Sequence, residues 1–254
     1  MKHGLGIDDS PEYKPVRDFV KTVQPPPSCK RYVEDHVPSA LPMCAPHVPW
    51  LVAEASKVAA SKLELGKAGP LEPQQLFALV LYTLDVRHNG GAEEENFYKC
   101  LNDKLRERDL KILEELQGYL YFLMSAFEKL PPEPEATFFR GVPKSALPII
   151  EENYKSGRHV HWSGLTSVST DRRQAENFAS QEGPGGVVFH VRARTGRAIF
   201  PYSAIPIEKE VILLPNFKAH VSEGLTKAGD FFELKLTEVR DDHKERERGR
   251  EGID

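Results

Sequence analysis

Cysteine is scarce. The chain has three in 254 residues, Cys29, Cys44 and Cys100, an odd number at wide spacing. No Cys-x-x-Cys pair occurs, which excludes the common zinc and disulfide frameworks; free thiols in a reducing compartment are the expectation. Long apolar runs are missing too. The longest, Leu76 to Tyr82, falls far short of the ~18 residues that mark a bilayer-spanning helix, so no membrane partner is expected. There is no basic excess: 34 basic against 38 acidic side chains leave a net charge of −4, which argues against a dedicated nucleic-acid binder. Met1 to Asp8 lack the apolar core of a signal peptide, and the C-terminus has no lipid-anchor pattern. No internal repeat, glycine-rich phosphate loop or Rossmann fingerprint is present. His159 and His161 flank a strand position beside Trp162, and His190 sits inside another strand; none has the spacing of a metal site or a triad. They read as structural, and no metal is expected.

What remains is an ordinary folded composition, 40% hydrophobic and 28% charged. A chain this long buries about 70% of its unfolded surface without a covalent staple. The expected organisation is a proline-rich leader over 1–47, a helical lobe over 48–132, a β-rich core over 133–239 and a charged tail over 240–254. Lobe and core form one integrated domain, expected to be monomeric. Prolines 25–27, 38, 42 and 46 argue for an extended leader without a long helix. Apolar spacing predicts helices near 50–65, 73–86, 97–105 and 109–130, the last ended by Pro131 and Pro132. After Pro134 the period shortens. Strands are predicted at 136–142, 187–191, 210–214, 217–221 and 231–236, with helices at about 144–155 and 171–180 between them. The architecture is α+β, a helical lobe on a mixed sheet. The tail from Arg240 reads as a frayed helix end or disorder.

Three segments of the second half carry chemistry. In Phe138-Phe139-Arg140-Gly141-Val142 an arginine interrupts an apolar strand. A buried guanidinium seeks a carboxylate or a phosphate, and its planar fork suits a diphosphate; the alternative is an edge strand with Arg140 in water. In Trp162 to Asp171 five hydroxyls fall within eight residues, with Ser167 and Ser169 on one face of an extended segment. Thr170 or Asp171 can then cap the helix that follows. In Pro206-Ile207-Glu208-Lys209-Glu210 two glutamates at i and i+2 lead into an apolar strand. Strand periodicity would set both carboxylates on one side, where mutual repulsion raises one pKa. A solvated strand entrance is the alternative.

Taken in order, Phe139-Arg140-Gly141, Ser167-Val168-Ser169 and Glu208-Lys209-Glu210 resemble the Arg–Ser–Glu clan of mono-ADP-ribosyltransferases, the family of the cholera-toxin-like and ecto-ADP-ribosyltransferase enzymes. Tyr202-Ser203, ending five residues before Glu208, and Pro206 resemble the arginine-modifying branch. Val168 stands where the clan has a central threonine. Tyr82-Thr83 and Phe97-Tyr98 to Leu105-Arg106 are more loosely similar to the helical lobe of the same branch. The resemblance implies a mixed, split β-sheet core, NAD as the substrate and a target protein with an exposed arginine. It implies that Glu210 bonds the ribose 2′-hydroxyl and stabilises an oxocarbenium-like state, that Ser167 holds Glu210 and touches the ribose, and that Arg140 binds the phosphates. The Gly141 backbone would meet the carboxamide, the missing Cβ allowing close approach. Phe178, eleven residues after Ser167, would stack on nicotinamide or else lie in the helix core. Glu208 would orient the acceptor guanidinium and take its proton. An NAD glycohydrolase on the same fold and a non-catalytic interaction module are the competing readings.

Overall fold

In the computed structural model, which describes residues 22–239, the prolines at 25–27 end at Ser28, whose Oγ accepts from the Arg31 N–H at 3.2 Å. That cap starts a twelve-residue helix, α1 (Cys29–Ala40), in the stretch expected to be extended. Pro38 lies inside the helix, in its last turn, two residues before it ends. Cys29, Val33, Val37 and Ala40 are buried. Gln74 pins the start of α1, accepting from the Cys29 N–H at 2.6 Å and donating to the Pro27 carbonyl at 3.3 Å. Residues 1–21 of the expected leader and the tail 240–254 lie outside the described residues.

The helical lobe continues with α2 (Val48–Glu64), α3 (Pro73–Tyr82), α4 (Phe97–Glu107), α5 (Leu110–Glu115) and α6 (Gln117–Lys129). The single helix predicted over 109–130 is broken at Leu116. The cause comes from α1. Tyr32 Oη donates to the Glu115 carbonyl at 3.0 Å, and its ring takes the space a Cβ on Gly118 would fill, 2.6 Å away. Tyr119, Leu120, Leu123 and Phe127 of α6 are fully buried among α1 to α4. Each such side chain contributes roughly 1.5–3 kcal/mol by leaving water. No helix among the described residues is long and apolar enough to cross a membrane.

The second half is one eight-stranded sheet: β1 (Ala136–Val142), β2 (His159–Trp162), β3 (Thr166–Ser169), β4 (Val187–Ala193), β5 (Arg197–Ala198), β6 (Glu210–Leu213), β7 (Phe217–Ala228) and β8 (Phe231–Glu238). Their order is β2-β7-β8-β4-β1-β3-β6-β5. The β4–β8 pair is parallel and the others antiparallel, so the sheet is mixed. Helix α7 (Leu147–Asn153) follows β1, and α8 (Arg172–Ala179) connects β3 towards β4. Alternation on β6 joins the two halves. Ile212 packs into the helical lobe, whereas Val211 and Leu213 face a second core with Phe189, Trp162 and Ile150. One discontinuity matters for the site. β1 pairs with β4 over its full length but with β3 only at Phe139 opposite Ser169. The sheet opens there, at its middle.

Candidate active site

Arg140 lies on β1, an interior strand, so the edge-strand alternative does not hold. The half-buried side chain reaches across the divergence from β3, and Nη1 donates to the Ser167 carbonyl at 2.8 Å. Ser167 turns its hydroxyl the other way: Oγ donates to Glu210 Oε1 at 2.5 Å. Arg140, Ser167 and Glu210 thus form one hydrogen-bonded chain over β1, β3 and β6. Ser169, paired opposite Glu210, donates through Oγ to the Glu208 carbonyl at 2.8 Å and accepts from the Asp171 N–H at 3.0 Å. The two serines of one strand face divide the work, one holding a carboxylate and the other the backbone that carries the next. Of the two caps considered for α8, Asp171 is the one used, its Oδ1 accepting from the Arg173 N–H.

The two glutamates do not share a face through strand periodicity. Glu208 ends a 3-10 turn, Pro206–Glu208, and Lys209 is left-handed at φ 48° and ψ 43° before β6 begins at Glu210. The Glu210 carboxyl is pushed up to about 7. Burial is the main cause, partly opposed by the Ser167 hydrogen bond; repulsion from Glu208, the expected cause, contributes less. Glu208 is also raised, by burial first and then by Asp85, with Arg87 opposing.

The raised Glu210 has a measurable consequence. An unfolded glutamate titrates near about 4.3. Between there and about 7 the folded chain binds the extra proton, so stability falls as pH rises through that window. Glu210→Gln should therefore gain on the order of 1–3 kcal/mol relative to wild type on going from pH 5 to pH 8. Denaturant unfolding of both proteins at the two pH values measures it; a pH-independent difference would place the carboxyl at an ordinary pKa.

Packing against α8 by itself requires glycine at 141. A Cβ there would lie 1.7 Å from the Ala175 carbonyl oxygen and 2.8 Å from the Ala179 N, because the α8 backbone rests on β1. Phe178 on α8 is not helix core; it is 39% exposed. The sheet order sets His159 and His161 at the opposite edge from β6, and His190 Nε2 lies 3.4 Å from Glu233. Among the described residues, no group of three or more His, Cys, Asp or Glu is placed to hold a metal ion.

Residues of the helical lobe complete the cleft. Asn102 on α4, buried, donates to Tyr82 Oη at 2.9 Å and accepts from the Leu165 N–H at 2.9 Å, docking α4 on the approach to β3. One turn later Arg106 lies near enough that its charge, after burial, lowers the Arg140 pKa. Arg106 is ion-paired to Asp103, so two guanidiniums from different lobes approach one another, one of them already partnered. Nothing in the apolar spacing of α4 singled out Arg106 or Asn102; their partners are fixed by tertiary packing.

The chain belongs to the NAD:arginine ADP-ribosyltransferase family, whose model matches residues 48–244. A Mycobacterium avium (strain 104) protein named NAD(+)–arginine ADP-ribosyltransferase Mav is 32% identical over 153 residues. The match covers 60% of this chain and 16% of that protein, so the chain spans a small part of its relative. The fold is also that of a variant of the eucaryotic mono-ADP-ribosyltransferase ART2.2 in complex with NADH, at TM-score 0.52 and 16% identity, covering 85% of this chain and 89% of the other. The ADP-ribosyltransferase Vis of Vibrio splendidus in complex with agmatine has TM-score 0.50 and 20% identity, covering 75% and 86%. These likenesses bear out the α+β architecture.

Proposed function

We propose that the chain is an NAD-dependent mono-ADP-ribosyltransferase that moves ADP-ribose to arginine side chains of a protein and releases nicotinamide. The observation that carries this reading is the chain Arg140–Ser167–Glu210 at the opening of the sheet, with Glu208 beside it. The buried Arg140 guanidinium, with Arg106 (itself paired to Asp103) near it, favours an anionic group such as the NAD diphosphate. Breaking the nicotinamide–ribose bond builds positive charge on the sugar, as in glycoside hydrolysis. The Glu210 carboxylate, held by Ser167, stabilises that charge, most strongly in its desolvated setting. Glu208, on a turn at the entrance, orients the incoming guanidinium and accepts its proton, since a protonated guanidinium is a poor nucleophile. Phe178, on an exposed part of α8, offers a ring to the nicotinamide. NADH is bound by a variant of ART2.2 and agmatine by Vis, proteins of the same fold.

Arg140→Lys should lose about tenfold or more in NAD affinity, because a point charge replaces a bidentate fork. Isothermal calorimetry measures it, and an unchanged affinity would remove Arg140 from the diphosphate site. The reading as a whole is tested by incubating the chain with adenylate-labelled NAD, with and without agmatine. Label is expected in ADP-ribosyl-agmatine; label only in free ADP-ribose would make the chain a glycohydrolase.

A further inference from the structure

We propose that Thr83 is a positioning residue for the acceptor step, its hydroxyl clamping the loop that carries Glu208 onto the helical lobe. The proposal rests on the reading of Glu208 as the acceptor carboxylate. The loop runs from Ile199 to Lys209 and bridges the two halves of the molecule. Towards the sheet it is held by backbone bonds from Ile199 and Phe200 to the Glu210 carbonyl and by Ser169 Oγ on the Glu208 carbonyl. Towards the helical lobe Ile199 is buried in its core and Ala204 packs against it, and three further contacts hold the loop. Lys62 Nζ donates to the Pro201 carbonyl at 3.1 Å on the exposed surface. The Tyr202 ring covers Gly69, where a Cβ would lie 2.5 Å from its hydroxyl. The third is partly buried: Thr83 Oγ1 accepts from the Ala204 N–H at 2.9 Å.

Thr83 is suited to this as neither of the others is. It is the C-cap of α3 and 9% exposed, and the same Oγ1 donates to the Val80 carbonyl at 2.8 Å. The hydroxyl is therefore used in both directions, with its rotamer fixed by the helix end. Ser203, beside Ala204, is buried and accepts from the Ile205 N–H at 2.9 Å, so the turn following the clamp is itself rigid. Four residues beyond Ala204 stands Glu208. Two residues beyond Thr83 stands Asp85, which accepts from Arg87 and from Asn96, so its own position is fixed. Asp85 and Arg87 are the charges from the helical lobe that Glu208 feels. The clamp thus sets how far the acceptor carboxylate stands from a fixed charged wall. Glu210, Ser167 and Arg140 are held by the sheet and do not depend on it.

The test is the ratio of ADP-ribosyl-agmatine formed to NAD hydrolysed without acceptor, measured for wild type, Thr83→Val and Thr83→Ser. Thr83→Val keeps the shape and removes the hydroxyl. Its ratio is expected to fall about tenfold, the effect of one lost hydrogen bond, through the transfer rate rather than through hydrolysis. Thr83→Ser restores the ratio. Amide exchange at Ala204 should quicken in Thr83→Val while Leu79 and Val80 of α3 stay protected. Thr83→Ala, which also lacks the hydroxyl but admits water to the freed N–H, serves if the valine variant does not fold. A ratio unchanged in the hydroxyl-free variant, or transfer and hydrolysis falling in parallel, overturns the proposal and leaves Thr83 a helix cap. Wild-type chain that makes no ADP-ribosyl-agmatine at all overturns the underlying reading instead.

Discussion

Glu210→Gln is expected to lose nicotinamide release and transfer together, by a factor on the order of 10²–10³. The substitution keeps the shape of the side chain and an oxygen for the Ser167 hydroxyl to donate to. What it removes is the charge. Glu210 sits at the opening between β1 and β3, buried enough that its carboxyl is pushed up to about 7, and a desolvated carboxylate acts on a developing cation with little solvent screening. Loss of rate with retained or increased stability separates this from a folding defect. Steady-state turnover on NAD, with a melting curve on the same preparation, is the measurement; near wild-type turnover would displace Glu210 from the reacting centre.

The second large effect is a separation of activities. Glu208→Gln should lower transfer to agmatine on the order of 10²-fold, since the guanidinium loses its proton acceptor and its orienting charge. Hydrolysis of NAD should persist, because Arg140, Ser167 and Glu210 are bonded to one another and not to the Glu208 side chain. The turn itself should survive, as Ser169 grips the Glu208 carbonyl rather than its carboxylate. Nicotinamide and ADP-ribosyl-agmatine are quantified in one reaction. If both fell together, Glu208 would belong to the bond-breaking step. If neither fell, the acceptor would be something other than a guanidinium.

The parts of this account that are legible in the sequence are those set by local pattern. Strands β1, β4, β6 and β8 follow from short apolar runs, and the ordered Arg140, Ser167, Glu208 and Glu210 point to one cleft because a sheet brings strand segments together. The parts that are not legible depend on residues far apart in the chain. Helix α1 forms although Pro38 lies inside it: the prolines at 25–27 precede the Ser28 cap, and Cys29, Val33, Val37 and Ala40 are buried against the lobe. The break at Leu116 is made by Tyr32, more than eighty residues earlier. The disposition of the two glutamates turns on Lys209, which adopts a left-handed conformation with no glycine to announce it. Burial raises Glu210 more than repulsion from Glu208 does, and burial is set by tertiary packing rather than by the spacing of the two glutamates. Arg106 and Thr83 enter the site only because α4 and α3 dock against the approach to β3 and the loop before β6.

The most direct test is a crystal structure of Glu210→Gln with NAD, since the variant binds without turning over. The account predicts the nicotinamide ribose against residue 210 and Ser167 Oγ, the diphosphate on Arg140 with Arg106 opposite, and the nicotinamide ring towards Phe178. NAD bound away from the opening between β1 and β3, or lying in it with the diphosphate remote from Arg140, would contradict it.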